Sequence, residues 1–239
     1  MSKRQQLREK HRRQQKQQQM IIIIMVVVGA LLLASALIIP TLKPVGEIVQ
    51  VTPWVFNSPV NMNTLGNPDA PVKMDVWEDF QCPACKRYSV EIESLVIKNY
   101  VDTGKVFYTF RHYPFVDSQV TTKESQQAAN ASMCAASQGR FWDYHDILFA
   151  NWNGENQGAF ADKRLVAFAE NLGLKMDDFK TCFNRNTYQT DIEKDYNDGQ
   201  AKGVTGTPSV FVNGVHLTPG YIPTYEQIAQ AIEDGLAGK

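Results

Sequence analysis

Glu78-Asp79-Phe80-Gln81-Cys82-Pro83-Ala84-Cys85 is the stretch that decides how the rest of this 239-residue chain is read. Upstream of it Val72, Met74 and Val76 alternate with Lys73 and Asp75 and run into Trp77, a strand pattern. Downstream, residues 83–100 read as a helix with Ile92, Leu95, Val96 and Tyr100 on one face. The two cysteines therefore open a helix that follows a strand. A thiol placed there meets the positive end of the helix dipole and unpaired backbone N–H groups, which favour the thiolate. Pro83 suits the first turn because it has no N–H to leave unpaired. Cys82 is expected to be the exposed nucleophile and Cys85, one turn further in, the resolving thiol. Attack of a thiolate on a disulfide, through a mixed disulfide, is the natural reaction of such a pair. The other readings fit less well. A zinc site wants a second Cys-x-x-Cys or a nearby pair of histidines. Haem attachment needs His at position 86, where Lys86 stands. An inert bridge across two residues has little entropic value.

Outward from this centre, Gly104 closes a connection and residues 106–113 form a second strand, ended by Pro114. Residues 118–198 change character. Helices are expected at 125–138, 141–150, 162–172 and 176–196, separated by Gly139, Gly154, Gly158 and Gly173. Strand structure returns at 209–212. Asn213-Gly214 is a hairpin turn signal before Val215-His216-Leu217. Residues 224–236 close the chain as a helix with Thr224 as its N-cap. Thr205-Gly206-Thr207-Pro208-Ser209, taken alone, is a turn before a strand.

The N-terminal end is of another kind. Residues 1–19 carry a net charge of +6, against −7 for the remaining 220 residues, so the overall −1 hides a strong asymmetry. A basic segment also suits nucleic acid. This one is rich in Gln and abuts residues 20–39, which hold no charge and only Ser35 as a polar side chain. Twenty such residues span about 30 Å, the thickness of a bilayer core. A single transmembrane helix with a cytoplasmic N-terminus is therefore expected, with everything after Pro40 outside. A cleavable signal peptide is the competing reading, because Ala34-Ser35-Ala36 resembles a cleavage site; the length of the apolar run favours an uncleaved anchor. Six prolines between 40 and 71 point to an extended stalk before the domain proper. The four cysteines, Cys82, Cys85, Cys134 and Cys182, all lie on the exported side, where disulfides persist.

Three segments, in order, carry a resemblance: the stretch quoted first, Gly139-Arg140-Phe141-Trp142-Asp143-Tyr144-His145, and Gly206-Thr207-Pro208-Ser209-Val210-Phe211-Val212-Asn213-Gly214. Together they are similar to the DsbA-type thioredoxin-fold oxidoreductases over about residues 60–238. The resemblance implies an α/β thioredoxin fold with an inserted helical domain, here preceded by a single transmembrane helix. The thioredoxin parts fall at 72–117 and 199–239 and the insert at 118–198. It also implies that Pro208 is cis and faces the cysteine pair, with Thr207 offering backbone groups to a substrate chain. Pro83 and Ala84 then form the active-site loop with Thr207 and Pro208. Well-studied members carry His where this chain has Ala84, so the thiolate loses one stabilising partner here. Cys134 and Cys182 lie at the two ends of the insert. A bridge between them closes a 49-residue loop, worth about 4 kcal/mol, and some members of the family have a similar non-catalytic disulfide. Two buried free thiols and a redox relay are the other readings.

His145, among Phe141, Trp142, Tyr144 and Leu148, reads as a packed helix histidine, and His112 ends a strand that can approach the active-site face. Asp75, Glu78 and Asp79 are candidates for a carboxylate that exchanges protons with Cys85, solvated loop acids being the default. The expected function is donation of the Cys82–Cys85 disulfide to reduced proteins emerging from the cytoplasm. From the resemblance alone, reoxidation falls to a membrane quinone-linked partner, DsbB-like or vitamin K epoxide reductase-like. No organic cofactor or metal is required. An isomerase or reductase of the same fold is the nearest rival, and a non-catalytic thioredoxin-fold binding module the rival from another class.

Overall fold

A computed structural model describes residues 3–42, 45–119 and 121–238. Met1 and Ser2 of the basic tail, Lys43 and Pro44 of the expected stalk, and Lys239 lie outside the described residues. The chain divides into two units, Met1–Gly46 and Glu47–Lys239.

The first unit is one helix, α1 (Lys3–Leu42). Residues Arg12–Ala36 within it have a mean hydropathy of 2.6 over their most apolar window, long and apolar enough to cross a membrane. Its large apolar side chains, Ile21 to Leu33, are exposed all round, as suits a helix with no polar face.

The second unit is built on a six-stranded sheet of order β1-β2-β4-β3-β5-β6. Its strands are β1 (Val60–Asn61), β2 (Thr64–Leu65), β3 (Val72–Glu78), β4 (Val106–His112), β5 (Ser209–Val212) and β6 (Val215–His216). Only β3 and β4 run parallel, and the crossover between them is helical, as a parallel pair requires. It starts as α2 (Pro83–Tyr88) and continues through a π turn (Ser89–Glu93), α3 (Ser94–Val96) and a second π turn (Ile97–Val101). The buried stripe runs through Cys85, Tyr88, Glu93, Val96, Ile97, Tyr100 and Val101, while Leu95 stays 42% exposed. Leu95 was expected on the buried face, but the π turn at Ser89–Glu93 lengthens the step from Tyr88 to Glu93 to five residues and shifts the buried stripe past it.

The insert is a 3-10 turn (Val116–Gln119) followed by α4 (Glu124–Ala136), α5 (Phe141–Ala150), α6 (Asp162–Asn171), α7 (Met176–Asn184) and α8 (Gln189–Ala201). The single helix expected at 176–196 is two helices. Asn186, at φ 49°, breaks the run in the left-handed region, which Asn tolerates better than most residues. α8 then runs past the expected boundary at 198 and packs on the sheet: Asp195 holds Arg111 at 3.0 Å and accepts from the His112 amide at 3.1 Å. Gly199 belongs to this contact, since a Cβ there meets Trp77 at 2.8 Å. The chain closes with α9 (Tyr225–Leu236), capped by Thr224 and Gln227 in a reciprocal capping box.

Residues 45–59, within the expected stalk, are extended but are no free stalk. Ile48, Val51, Trp54 and Phe56 pack against the core, and Asn151 bonds the Val49 amide and carbonyl at 2.8 and 2.9 Å. Residues 60–65 then form the β1–β2 hairpin, whose second strand pairs with β4. Beyond Leu42 this proline-rich stretch is not helical, and apolar side chains at every second or third position (48, 51, 54 and 56) let it cover the core.

Candidate active site

β3 places its last residues where three elements converge. Alternation along it buries Val72, Met74 and Val76 in the main core, while Trp77 joins a second cluster with Tyr113, Val204 and Phe211 on the opposite face. The chain then turns into α2. Cys82 is the residue before Pro83, its backbone extended at φ −73°, ψ 123°. Its amide donates to the Asp79 carbonyl at 3.0 Å and its carbonyl accepts from Lys86 at 3.1 Å. The sequence-level expectation of a cysteine pair at a helix entrance thus describes the geometry found.

The pair is in the dithiol state, with Cys82 5% exposed and Cys85 fully buried. Facing Cys82, the Thr207–Pro208 peptide is cis, and the Thr207 carbonyl accepts from the Cys82 thiol at 3.3 Å. Cys82, Cys85 and Thr207 are therefore together, with Pro83, Ala84 and Pro208 around them. A groove of about 390 Å³ runs beside them, lined by Ala84, Arg87, Gly206, Thr207, Pro208 and Tyr221 among others. Cys134 and Cys182 are joined by a disulfide between α4 and α7, with Cα atoms 5.8 Å apart.

The two thiols are tuned in opposite directions. A hydrogen bond from Cys85, aided by the Thr207 side chain and the Cys85 and Ala84 amides, lowers Cys82 from 9.0 to about 6, against the effect of burial. Burial raises Cys85 well above its ordinary value, and the nearby charges of Cys82 and Glu78 add to this. Glu78, at the end of β3, is raised well above the usual carboxylate range by burial and by the charges of Glu93 and Cys82, with the nearby Cys85 thiol opposing the shift more weakly. Neither Glu78 carboxyl oxygen has a partner within hydrogen-bonding geometry.

Of the three acids singled out, Asp75 pairs with Arg111 at 2.9 Å. Glu78 and Asp79 are 1% and 2% exposed, which overturns the default of solvated loop acids for both. Only Glu78 engages Cys85. Asp79 instead accepts from the Gln81 amide at 2.8 Å and the Val116 amide at 3.0 Å, and burial pushes it to about 7 despite those bonds. His112 packs among Phe80, Phe110 and Phe141; burial lowers it to about 3, so it stays neutral.

Two groups at the site carried no sequence signal of their own. Gln81 is fully buried: its side chain donates to Ser125 at 2.9 Å and accepts from the Asn156 amide at 2.7 Å, and its carbonyl accepts from the Trp152 indole at 2.6 Å. It bolts the insert to the residue before Cys82. Glu93 is the other; its only trace is its position eight residues beyond Cys85, on the same helix face.

Comparison with known proteins follows the same outline. A family model described as thioredoxin matches residues 58–234. A Bacillus cereus protein named "Probable disulfide bond formation protein D" is 30% identical over 162 residues, covering 66% of this chain and 73% of that one. The crystal structure of oxidised BdbD from Bacillus subtilis superposes with a TM-score of 0.65 at 26% identity, covering 81% of this chain and all of that one. A Salinispora arenicola Na(+)/H(+) antiporter NhaA 1 is 31% identical over 173 residues, but the match spans 72% of this chain and only 24% of the antiporter.

Proposed function

Since the chain belongs to the DsbA-type thioredoxin-fold thiol–disulfide oxidoreductases, we propose that it donates the Cys82–Cys85 disulfide to reduced proteins on the outer side of a membrane. The observation that carries this reading is the opposed tuning of its two thiols. A Cys82 thiolate held at about 6 stabilises the reduced pair, and whatever stabilises the reduced pair makes the disulfide a stronger oxidant. Cys82 takes the substrate thiol, Cys85 departs as the leaving group, and Glu78 exchanges a proton with it. Pro83 and Ala84 shape the loop. Thr207 and Pro208 border the groove in which a substrate chain lies, with backbone groups free for strand addition.

The N-terminal helix anchors the protein, with the basic tail cytoplasmic and the catalytic unit outside. The apolar run at 20–39 within α1, about 30 Å long, and the +6 charge of residues 1–19 support that orientation. Reduced exported proteins are the substrates. A quinone-linked membrane protein of the DsbB or vitamin K epoxide reductase kind restores the disulfide. The Cys134–Cys182 bridge serves stability rather than exchange.

The deciding experiment is the equilibrium reduction potential of the full chain in glutathione buffers, with Cys134→Ala/Cys182→Ala as control. A value near about −120 mV is expected for a disulfide donor; one at or below about −270 mV makes the protein a reductase.

A further inference from the structure

Each change of redox state makes Cys85 gain or lose a proton, yet its thiol has no exposure to solvent. Burial favours the protonated form of both Cys85 and Glu78, so a proton that Cys85 gives up to Glu78 needs a way onward. Behind it the interior is polar. Glu78 from β3, Tyr88 from α2, Glu93 from the π turn, Tyr108 and His112 from β4, and His145 from α5 are all buried within one hydrophobic core.

Their contacts have a direction. Burial raises the Tyr88 hydroxyl well above its ordinary value, and the charges of Glu93 and Glu78 add to this. Glu93 Oε1 accepts from the Tyr108 hydroxyl at 2.8 Å. Glu93 Oε2 lies 3.4 Å from His145 Nε2, a charge contact outside hydrogen-bonding geometry. On the far side of the same ring, His145 Nδ1 is 2.9 Å from Asp146 Oδ1. The Asp146 side chain is 21% exposed and borders a cleft of about 240 Å³ with Trp54, Lys86, Ser89 and Ser94. Glu78 Oε1 and Oε2, Tyr88 Oη and His145 Nε2 have no hydrogen-bond partner. Leaving four such atoms unpaired in a core costs about 1–3 kcal/mol each. A core evolved for packing alone has no use for them.

We propose that Glu93, His145 and Asp146 carry protons between Glu78 and this solvent cleft each time the Cys82–Cys85 pair is reduced or reoxidised. The inference rests on the reading that Glu78 exchanges protons with Cys85. When a substrate thiolate attacks Cys82 Sγ, the Cys82–Cys85 bond breaks and a substrate–Cys82 bond forms. Cys85 departs with the electron pair and takes a proton from Glu78, which is reprotonated from the cleft. In the reverse step the Cys85 proton leaves by the same route. The new thiolate then attacks Cys82 Sγ of a mixed disulfide and the partner's thiolate departs. His145 suits the relay because its two ring nitrogens face one carboxylate each. Burial lowers it, but the charge of Glu93 and the bond to Asp146 outweigh burial and raise it overall.

The test is the resolution of a glutathione–Cys82 mixed disulfide by Cys85 in the full chain, followed by stopped-flow tryptophan fluorescence from pH 5 to 9. Glu93→Gln and His145→Gln are expected to slow it about tenfold at pH 7, less than the roughly 10²–10⁴-fold of a lost catalytic acid–base group because both act through Glu78. Added imidazole should restore part of the rate in His145→Gln, and the Cys82 titration should not move. Wild-type rates in both variants alongside a slow Glu78→Gln overturn the relay and leave the role of Glu78 standing. A wild-type rate in Glu78→Gln removes both. Slow variants that imidazole does not restore and whose Cys82 titration has shifted mean a packing role, and also overturn it. Should the buried variants fail to fold, Asp146→Asn, at the rim of the cleft, decides. A severalfold loss with a changed pH profile supports the relay; an unaltered rate overturns it.

Discussion

The protein holds two cysteine pairs whose surroundings have little in common. Cys82 and Cys85 sit three positions apart at one helix entrance, among a carbonyl, a hydroxyl and a buried carboxylate, and are free thiols. Cys134 and Cys182 are 48 positions apart, on two helices, against the apolar core of the insert, and are bonded. The first pair is placed so that sulfur can change state; the second so that bond formation closes a long loop. The difference teaches that reactivity belongs to the groups around a disulfide rather than to the bond.

The sharpest way to break this comparison is to remove one sulfur from the first pair and, separately, both from the second. Cys82→Ser is expected to reduce dithiol oxidation to the buffer background, at least about 10³-fold, in an assay of a reduced model substrate. Cys134→Ala/Cys182→Ala is expected to leave that rate within about twofold. Its cost appears instead in denaturant unfolding, at about 4 kcal/mol or less. Should the double variant lose activity at wild-type stability, the two pairs are not independent and the relay reading of Cys134 and Cys182 returns.

A third measurement uses pH. The folded Cys82 value of about 6 lies below its ordinary 9.0, so between these values the unfolded chain binds more protons than the folded one. This contribution is fully present above about pH 9 and is lost as pH falls through about 6. The oxidised form has no such term, and Asp79 and His112 are common to both forms. The stability difference, reduced minus oxidised, should therefore rise from pH 6 to pH 9. Alkylation of Cys82 should fall about tenfold per unit below pH 6. The smallest effect sharpens the role of the loop. Ala84→His adds a cation near the Cys82 thiolate and should raise the reduction potential by about 10–20 mV, or about 0.5–1 kcal/mol.

How much of this was legible depends on whether the signal was local. The cysteine pair, the strand before it and the Asn213-Gly214 turn are written in adjacent residues, and the structure has Asn213 and Gly214 both at positive φ, as that turn needs. The Thr207–Pro208 contact was legible only through family resemblance, because nothing within 205–209 points to a sulfur 125 residues away. Glu93, Gln81 and Trp152 escaped notice for a related reason. Each is polar, and polar residues in a helix or loop read as solvent-facing until tertiary contacts bury them. The residues 40–71 were misjudged because proline reports what a segment cannot be, not what it packs against.

The sheet order holds one more consequence, for the way the chain is made. β3 lies between β4, which follows it closely, and β5, whose register with β3 pairs Met74 with Val212 and Trp77 with Ser209 across the whole insert. A chain synthesised from its N-terminus thus exposes all four sulfurs before Thr207 arrives to cover Cys82. In that interval Cys82 and Cys85 are ordinary thiols beside Cys134 and Cys182, and wrong pairings compete with the right one. The enzyme's own maturation has a window of vulnerability, open until the last thirty or so residues have been laid into the sheet.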